Sequence, residues 1–292
     1  MEKPELDKLL ARLGLVNEKD KPLDTLIRVP DVETLLRLAE ESGADRGAPE
    51  VGNFFGGLDW QTMAVNARRG DPEIAAKAEA LLDQVDRFTA ETEGRQWTAM
   101  PAGAYPIVPE ALAGSPTPMR GYQSVASEHM PLSIYVATTS SARYGLETLL
   151  ARGVAILALV SKLQAIRPVD LHIMSLTPNT SSWTGDGNMI VVTRLETRPL
   201  DLSVAGFVLA HCAFDRRVHL GLCVKLGKDA RWAHIAWSEI FRNGPAAIRA
   251  YVGMGPDDLY IAPAHLDDSM IKEPVKWVNE QVRKALHRSG DA

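Results

Sequence analysis

The residue types best suited to chemistry in this chain are a run of hydroxyls at the end of one apolar segment and a histidine with two carboxylates far downstream. Thr138, Thr139, Ser140 and Ser141 close the segment 132–142, and His265, Asp267 and Asp268 follow a second apolar segment, 258–262. If both segments are parallel strands of one sheet, the two clusters meet beyond the strand ends, where open α/β sheets bind ligands. Hydroxyl, imidazole and carboxylate together would serve as a general base with its nucleophile, as a weak divalent-metal site, or as a surface that docks a partner. Helix capping competes for the same residues: Ser or Thr at a strand end can cap the next helix, and Asp267, Asp268 or Ser269 the last one. Trp183 is a separate candidate. It sits among Thr, Ser, Asn and Gly at a turn, where an exposed indole would seek a cover and a folded-back one would pack on its own sheet.

A second group, His211, Cys212, His219, Cys223 and His234, carries zinc-binding atoms. Its spacing matches no standard zinc motif, and buried Cys with hydrogen-bonded His on neighbouring helices is ordinary core, so packing is the expected role. The sequence has no phosphate-binding Gly-x4-Gly-Lys-Ser/Thr loop, no Gly-x-Ser-x-Gly elbow, no His-Glu-x-x-His and no dinucleotide fingerprint.

Positioning these residues requires a sheet. Leu132, Ile134 and Val136 alternate as in a strand, and the segment 143–165 reads as a helix that is apolar all round in its middle and must therefore be buried. Pro168 ends that helix. Val169, Leu171 and Ile173 then alternate along a second strand, which a helical crossover makes parallel to the first. A short Pro, Asn and Gly connection leads to a third strand over 188–196, antiparallel to the second. Helices are expected at 202–210 and 215–226, a last strand at 258–262, and a terminal helix over 271–287 with Val275, Val278 and Val282 inward.

The first hundred residues read as helical. Leu6, Leu9, Leu10 and Leu13 recur at helical spacing before Gly14, Asp31 precedes a run with Leu35, Leu36 and Leu38, and Asp59 and Asp71 mark two more starts, the latter continuing to about Phe88. Phe54 and Phe55 lie in a glycine-rich stretch and are expected to anchor it to the core. Residues 101–131 are rich in Pro and Gly, which excludes regular helix or central strand over most of the segment. Tyr105, Ile107, Val108, Leu112 and Met119 suggest a connector that wraps over the core. The expected organisation is a helical region (1–100), a connector (101–131) and an α/β domain (132–292).

With 292 residues, 46% hydrophobic and 24% charged, the chain can bury a sizeable core. No apolar run reaches membrane-spanning length and the first residues do not read as a signal peptide, so no membrane partner and a cytoplasmic location are expected. The net charge is −5, with 13 basic and 20 acidic side chains in residues 1–100. Without a dense basic stripe, nucleic-acid binding would need Arg143, Arg194 and Arg216 to gather on one face. Two cysteines are too few for a disulfide scaffold.

From residue 131 onward this pattern resembles the von Willebrand factor A-like domain. In that family the first strand ends in Asp-x-Ser-x-Ser, which holds a divalent metal, and an antiparallel edge strand follows the first crossover. The matching positions here are Ala137, Thr139 and Ser141, so the aspartate is absent, and two neutral hydroxyls alone hold a hard cation weakly. The front part, the connector from Val108 to Met119, and the Arg152-Gly153 helix with Pro199-Leu-Asp-Leu202 are also similar to an uncharacterised family of tailed-bacteriophage proteins, which implies a phage origin and the host cytoplasm. The expected fold is α/β: a Rossmann-like, von Willebrand factor A-like mixed sheet flanked by helices and preceded by a helical region. The expected role is non-catalytic binding or assembly with another protein, through Thr139, Ser140, Ser141, Trp183, His265, Asp267 and Asp268. No cofactor is expected beyond a weak divalent metal. A metal-assisted hydrolase or nuclease using the His and Asp cluster is the second reading, and a nucleic-acid-binding protein the third.

Overall fold

Capping residues and prolines set the helix starts, and short apolar runs set the strands. The computed structural model describes residues 3–19, 25–44, 56–85, 93–102, 105–126, 131–139, 144–178, 188–219, 221–222, 244–263 and 269–287. The chain divides into two compact units, Met1–Asp86 with Pro131–Ala292, and Arg87–Met130. The larger unit begins with α1 (Lys3–Arg12), β1 (Thr25–Val29), α2 (Val32–Ser42), α3 (Trp60–Arg69) and α4 (Pro72–Leu82). The smaller holds β2 (Glu93–Met100), β3 (Tyr105–Pro106), α5 (Val108–Leu112) and β4 (Met119–Ala126). The larger resumes with β5 (Leu132–Ala137), α6 (Leu146–Gln164), β6 (Val169–Pro178), β7 (Asn188–Leu195), α7 (Leu202–Ala210) and α8 (Cys212–Phe214). A π-helical turn (Asp215–His219) follows, then α9 (Gly244–Val252), β8 (Leu259–Ile261), α10 (Ser269–Lys272) and α11 (Pro274–His287).

The fold is α/β, a mixed sheet flanked by helices, in the strand order β1-β7-β6-β5-β8. β5 runs parallel to β6 and β8, β6 antiparallel to β7, and β7 parallel to β1. Tyr135 lies opposite both His172 and Tyr260, which sets the register at the sheet centre. Because strand side chains alternate, Ile134, Val136, Leu171 and Ile173 are fully buried on one face, while Tyr135, Ala137, Met174 and Leu176 pack on the other with Ile248 and Val252 of α9. α4, α6 and α7 pack on one another, and α11 packs on α6. α6 is buried continuously from Arg152 to Val160, as an all-round apolar helix must be.

The N-terminal capping pattern holds. Asp31, Asp59 and Asp71 accept from the backbone N–H groups of Thr34, Thr62 and Glu73 at 2.7, 2.7 and 2.9 Å, each satisfying an N–H that the helix start leaves without an intrahelical partner. Gly14 follows α1 in the left-handed region (φ 70°), a conformation that costs glycine no Cβ clash. α4 ends at Leu82 rather than near Phe88.

Three expectations are corrected. The first hundred residues are not helical throughout, because β1 joins the main sheet and β2 pairs with β4. β7 is not an edge strand, since β1 pairs along its outer side. The Pro/Gly-rich segment builds much of a three-stranded sheet of order β2-β4-β3. Its prolines fit because Pro106 lies on the edge strand and Pro109 in the first turn of α5, where a missing N–H costs little. Tyr105, Val108 and Leu112 are exposed side chains of this smaller unit. Among the described residues no helix is long and apolar enough to cross a membrane.

Candidate functional site

β5 delivers Thr138 and Thr139 to the carboxyl edge of the sheet, and both are buried. The Thr138 amide continues the ladder, donating to the Met174 carbonyl at 2.9 Å. The Thr138 hydroxyl lies 2.8 Å from Asp215 Oδ1 and 3.2 Å from the Met174 carbonyl. Its single proton goes to the shorter, charge-assisted contact. Thr139 Oγ1 accepts from the Leu176 N–H at 2.9 Å and donates to the Leu176 carbonyl at 3.4 Å. One side chain thus takes the place of a backbone amide and carbonyl, extending the pairing of β5 with β6. Neither threonine caps α6: the N-cap of that helix is Gly145, with no side-chain hydrogen bond.

Asp215 reaches Thr138 because α7 packs tightly on α6. A Cβ at Gly153 would lie 2.2 Å from Ala210 Cβ and 2.3 Å from its Cα, so only glycine allows this approach. The chain then turns through α8 into the π-helical turn, a local widening of the helix often found at functional sites. There His219 Nδ1 lies 3.1 Å from Asp215 Oδ1. The carboxylate oxygen therefore meets the Thr138 hydroxyl on one side and the imidazole on the other. His219 is 2% exposed, its ring meets Phe214 edge-on at 5.9 Å, and among the described residues its Nε2 has no hydrogen-bond partner.

Three buried arginines tie this edge together through backbone carbonyls. Arg152 donates to Ala137 and Ala262 at 2.9 and 2.8 Å, bridging the ends of β5 and β8. Arg216 donates to Tyr144 at 2.9 Å and Arg217 to Leu58 at 2.6 Å, so the turn is fastened to the segments before α6 and before α3.

The zinc-type residues have other uses where they are described. His211 Nδ1 accepts from the Ala213 N–H at 3.1 Å, capping α8, and its ring stacks on Phe207 at 5.0 Å between centroids. Burial pushes the Cys212 thiol up, away from the thiolate a metal needs. Among the described residues, no three His, Cys, Asp or Glu side chains could hold a metal ion. Cys223 and His234 lie outside the described residues.

Of the expected binding residues, Thr139 is described, and it is committed to β6. Ser140, Ser141, Trp183, His265, Asp267 and Asp268 lie outside the described residues. Sequence reasoning missed the role of Asp215 and grouped His219 with the zinc-type residues instead. The i,i+4 spacing of an Asp and a His, in a segment that must leave α7 near the sheet edge, was the available signal.

A family model, described as a domain of unknown function (DUF7192), matches residues 21–244. The chain belongs to the DUF7192 family. The matched span runs from just before β1 through the π-helical turn, so the DUF7192 domain includes both the strand that covers β7 and the Thr138, Asp215 and His219 chain. In comparisons with curated proteins and with solved structures, nothing matches.

Proposed function

We propose that this protein is a non-catalytic, phage-encoded binding or assembly factor of the host cytoplasm, built on a von Willebrand factor A-like sheet and acting on another protein through its strand-end edge. One observation carries the reading: both described hydroxyls at that edge are engaged inside the protein, Thr139 with Leu176 and Thr138 with Asp215. A hydroxyl that already accepts a backbone N–H and donates to a carbonyl is poorly placed to act as nucleophile or metal ligand. The order β7-β6-β5-β8, with β7 antiparallel, supports the von Willebrand factor A-like likeness, and the extra strand β1 departs from it.

In this reading Ser141, Trp183, His265, Asp267 and Asp268 supply the partner-facing surface. Calorimetric titration of metal-free protein with Mg²⁺, Mn²⁺ and Zn²⁺, with the thermal midpoint followed in parallel, tests it. No heat and no midpoint shift is the expected result. A saturable heat with a raised midpoint, abolished by Asp267→Ala, would displace the binding factor in favour of a metal-assisted hydrolase or nuclease.

A further inference from the structure

A buried polar atom without a partner is costly, and in a native protein it calls for an explanation. Among the described residues His219 Nε2 is such an atom, on a side chain 2% exposed. Its setting is specific. Nδ1 faces Asp215 Oδ1 at 3.1 Å, and because a carboxylate can only accept, Nδ1 carries the proton there. In the neutral ring this leaves Nε2 with its lone pair. Asp215 is itself held by the Thr138 hydroxyl at 2.8 Å, so the carboxylate that sets the tautomer is anchored to the end of β5. The whole chain of contacts lies at the carboxyl edge of the parallel strands, where open α/β sheets take ligands.

We propose that His219 Nε2 is a proton-accepting contact for an O–H or N–H donor bound at this edge, with Asp215 as the positioning residue behind it. The chemistry narrows the ligand. A lone pair accepts a hydrogen and repels an anion, so the ligand presents an O–H or N–H group to it. This extends beyond the proposed binding role and stands whether or not a protein docks at the edge.

The test uses the full chain labelled with ¹⁵N-histidine, and diethyl pyrocarbonate as the reactive probe. The His219 ring should show the Nδ1–H tautomer. Nε2 should attack the pyrocarbonate carbonyl with loss of ethyl carbonate. Asp215→Asn should randomise the tautomer and slow His219 modification roughly tenfold or more, while Thr138→Ser, which keeps the hydroxyl, should match the wild type. An Nε2–H tautomer in the wild type would overturn the proposal. So would absence of His219 modification in folded protein whose other histidines react, because the atom would then be sealed in the core. If Asp215→Asn fails to fold, the wild-type tautomer and the presence or absence of His219 modification decide the matter alone.

Discussion

Replacing Gly153 by alanine should destabilise the protein, although alanine is favoured over glycine in a helix interior by about 1 kcal/mol. The added methyl would lie 2.2 Å from Ala210 Cβ, 2.3 Å from its Cα and 2.8 Å from its N. Carbon atoms need roughly 3.5 Å, so α6 and α7 must separate by about 1 Å or more. Overpacking of this kind costs about 1–3 kcal/mol, and the upper end applies because the obstructing atoms are backbone and cannot rotate away. After the propensity gain, about 2 kcal/mol of net destabilisation remains, a fall in thermal midpoint of about 4–8 °C for a unit of this size. Scanning calorimetry measures it directly. Ala210→Gly added to Gly153→Ala should recover only part of the loss, since the Cα and N contacts persist, and the two changes should be non-additive. An alanine variant as stable as the wild type would refute the close-approach argument, and with it the reason given for Asp215 reaching Thr138.

Burial holds the His172 imidazole down to about 4, against an ordinary value of 6.5. The folded state therefore keeps this ring neutral where the unfolded chain protonates it. Its contribution is complete above pH 6.5 and lost as pH falls toward 4, at most about 3 kcal/mol; His172→Gln should flatten urea-midpoint curves over that window, and an unchanged slope would contradict it. Arg152→Lys should lower the thermal midpoint by several degrees, because an ammonium cannot reproduce the two-carbonyl bridge of a buried guanidinium, a loss of about 1.5–3 kcal/mol; a shift under one degree would show the bridge to be dispensable. In a Cys223→Ser background, native Cys212 should react with a thiol reagent only on unfolding, since it is buried and its thiol is pushed up; rapid labelling of folded protein would count against its burial.

The sheet from β5 to β8 was legible because its strands alternate or run apolar and are separated by clear breaks, Pro168 above all. The buried helix, the parallel β5–β6 pairing and the antiparallel β6–β7 pair follow from those signals, whereas the parallel β5–β8 pairing entered only as a condition. β1 was not legible: Thr-Leu-Ile-Arg-Val is five residues long, buries both Leu26 and Ile27 at adjacent positions, and runs straight into the Asp31 cap of a helix. β2 and β4 were hidden by composition, since Glu93–Met100 and Met119–Ala126 offer no long apolar alternation and sit beside prolines. At the site, the threonines could be found from the strand end, but their use could not. Whether a hydroxyl caps a helix, binds a ligand or substitutes for backbone depends on which segment arrives beside it, and the π-helical turn comes from a part of the chain that local spacing does not connect to β5.

The pairing of β1 with β7 has a consequence for biosynthesis. Thr25 to Val29 leave the ribosome long before their partners Met189 to Thr193 have been made. Until then Leu26 and Ile27 belong to a strand without a sheet, open to pairing with other nascent chains. The segment is five residues long and carries Arg28 at its fourth position, features that discourage edge-to-edge association. β1 thus stays unpaired until Thr193 has been translated, and the sheet is complete only once β8 (Leu259–Ile261) follows, so ribosome-bound intermediates shorter than that should be the ones most dependent on chaperones.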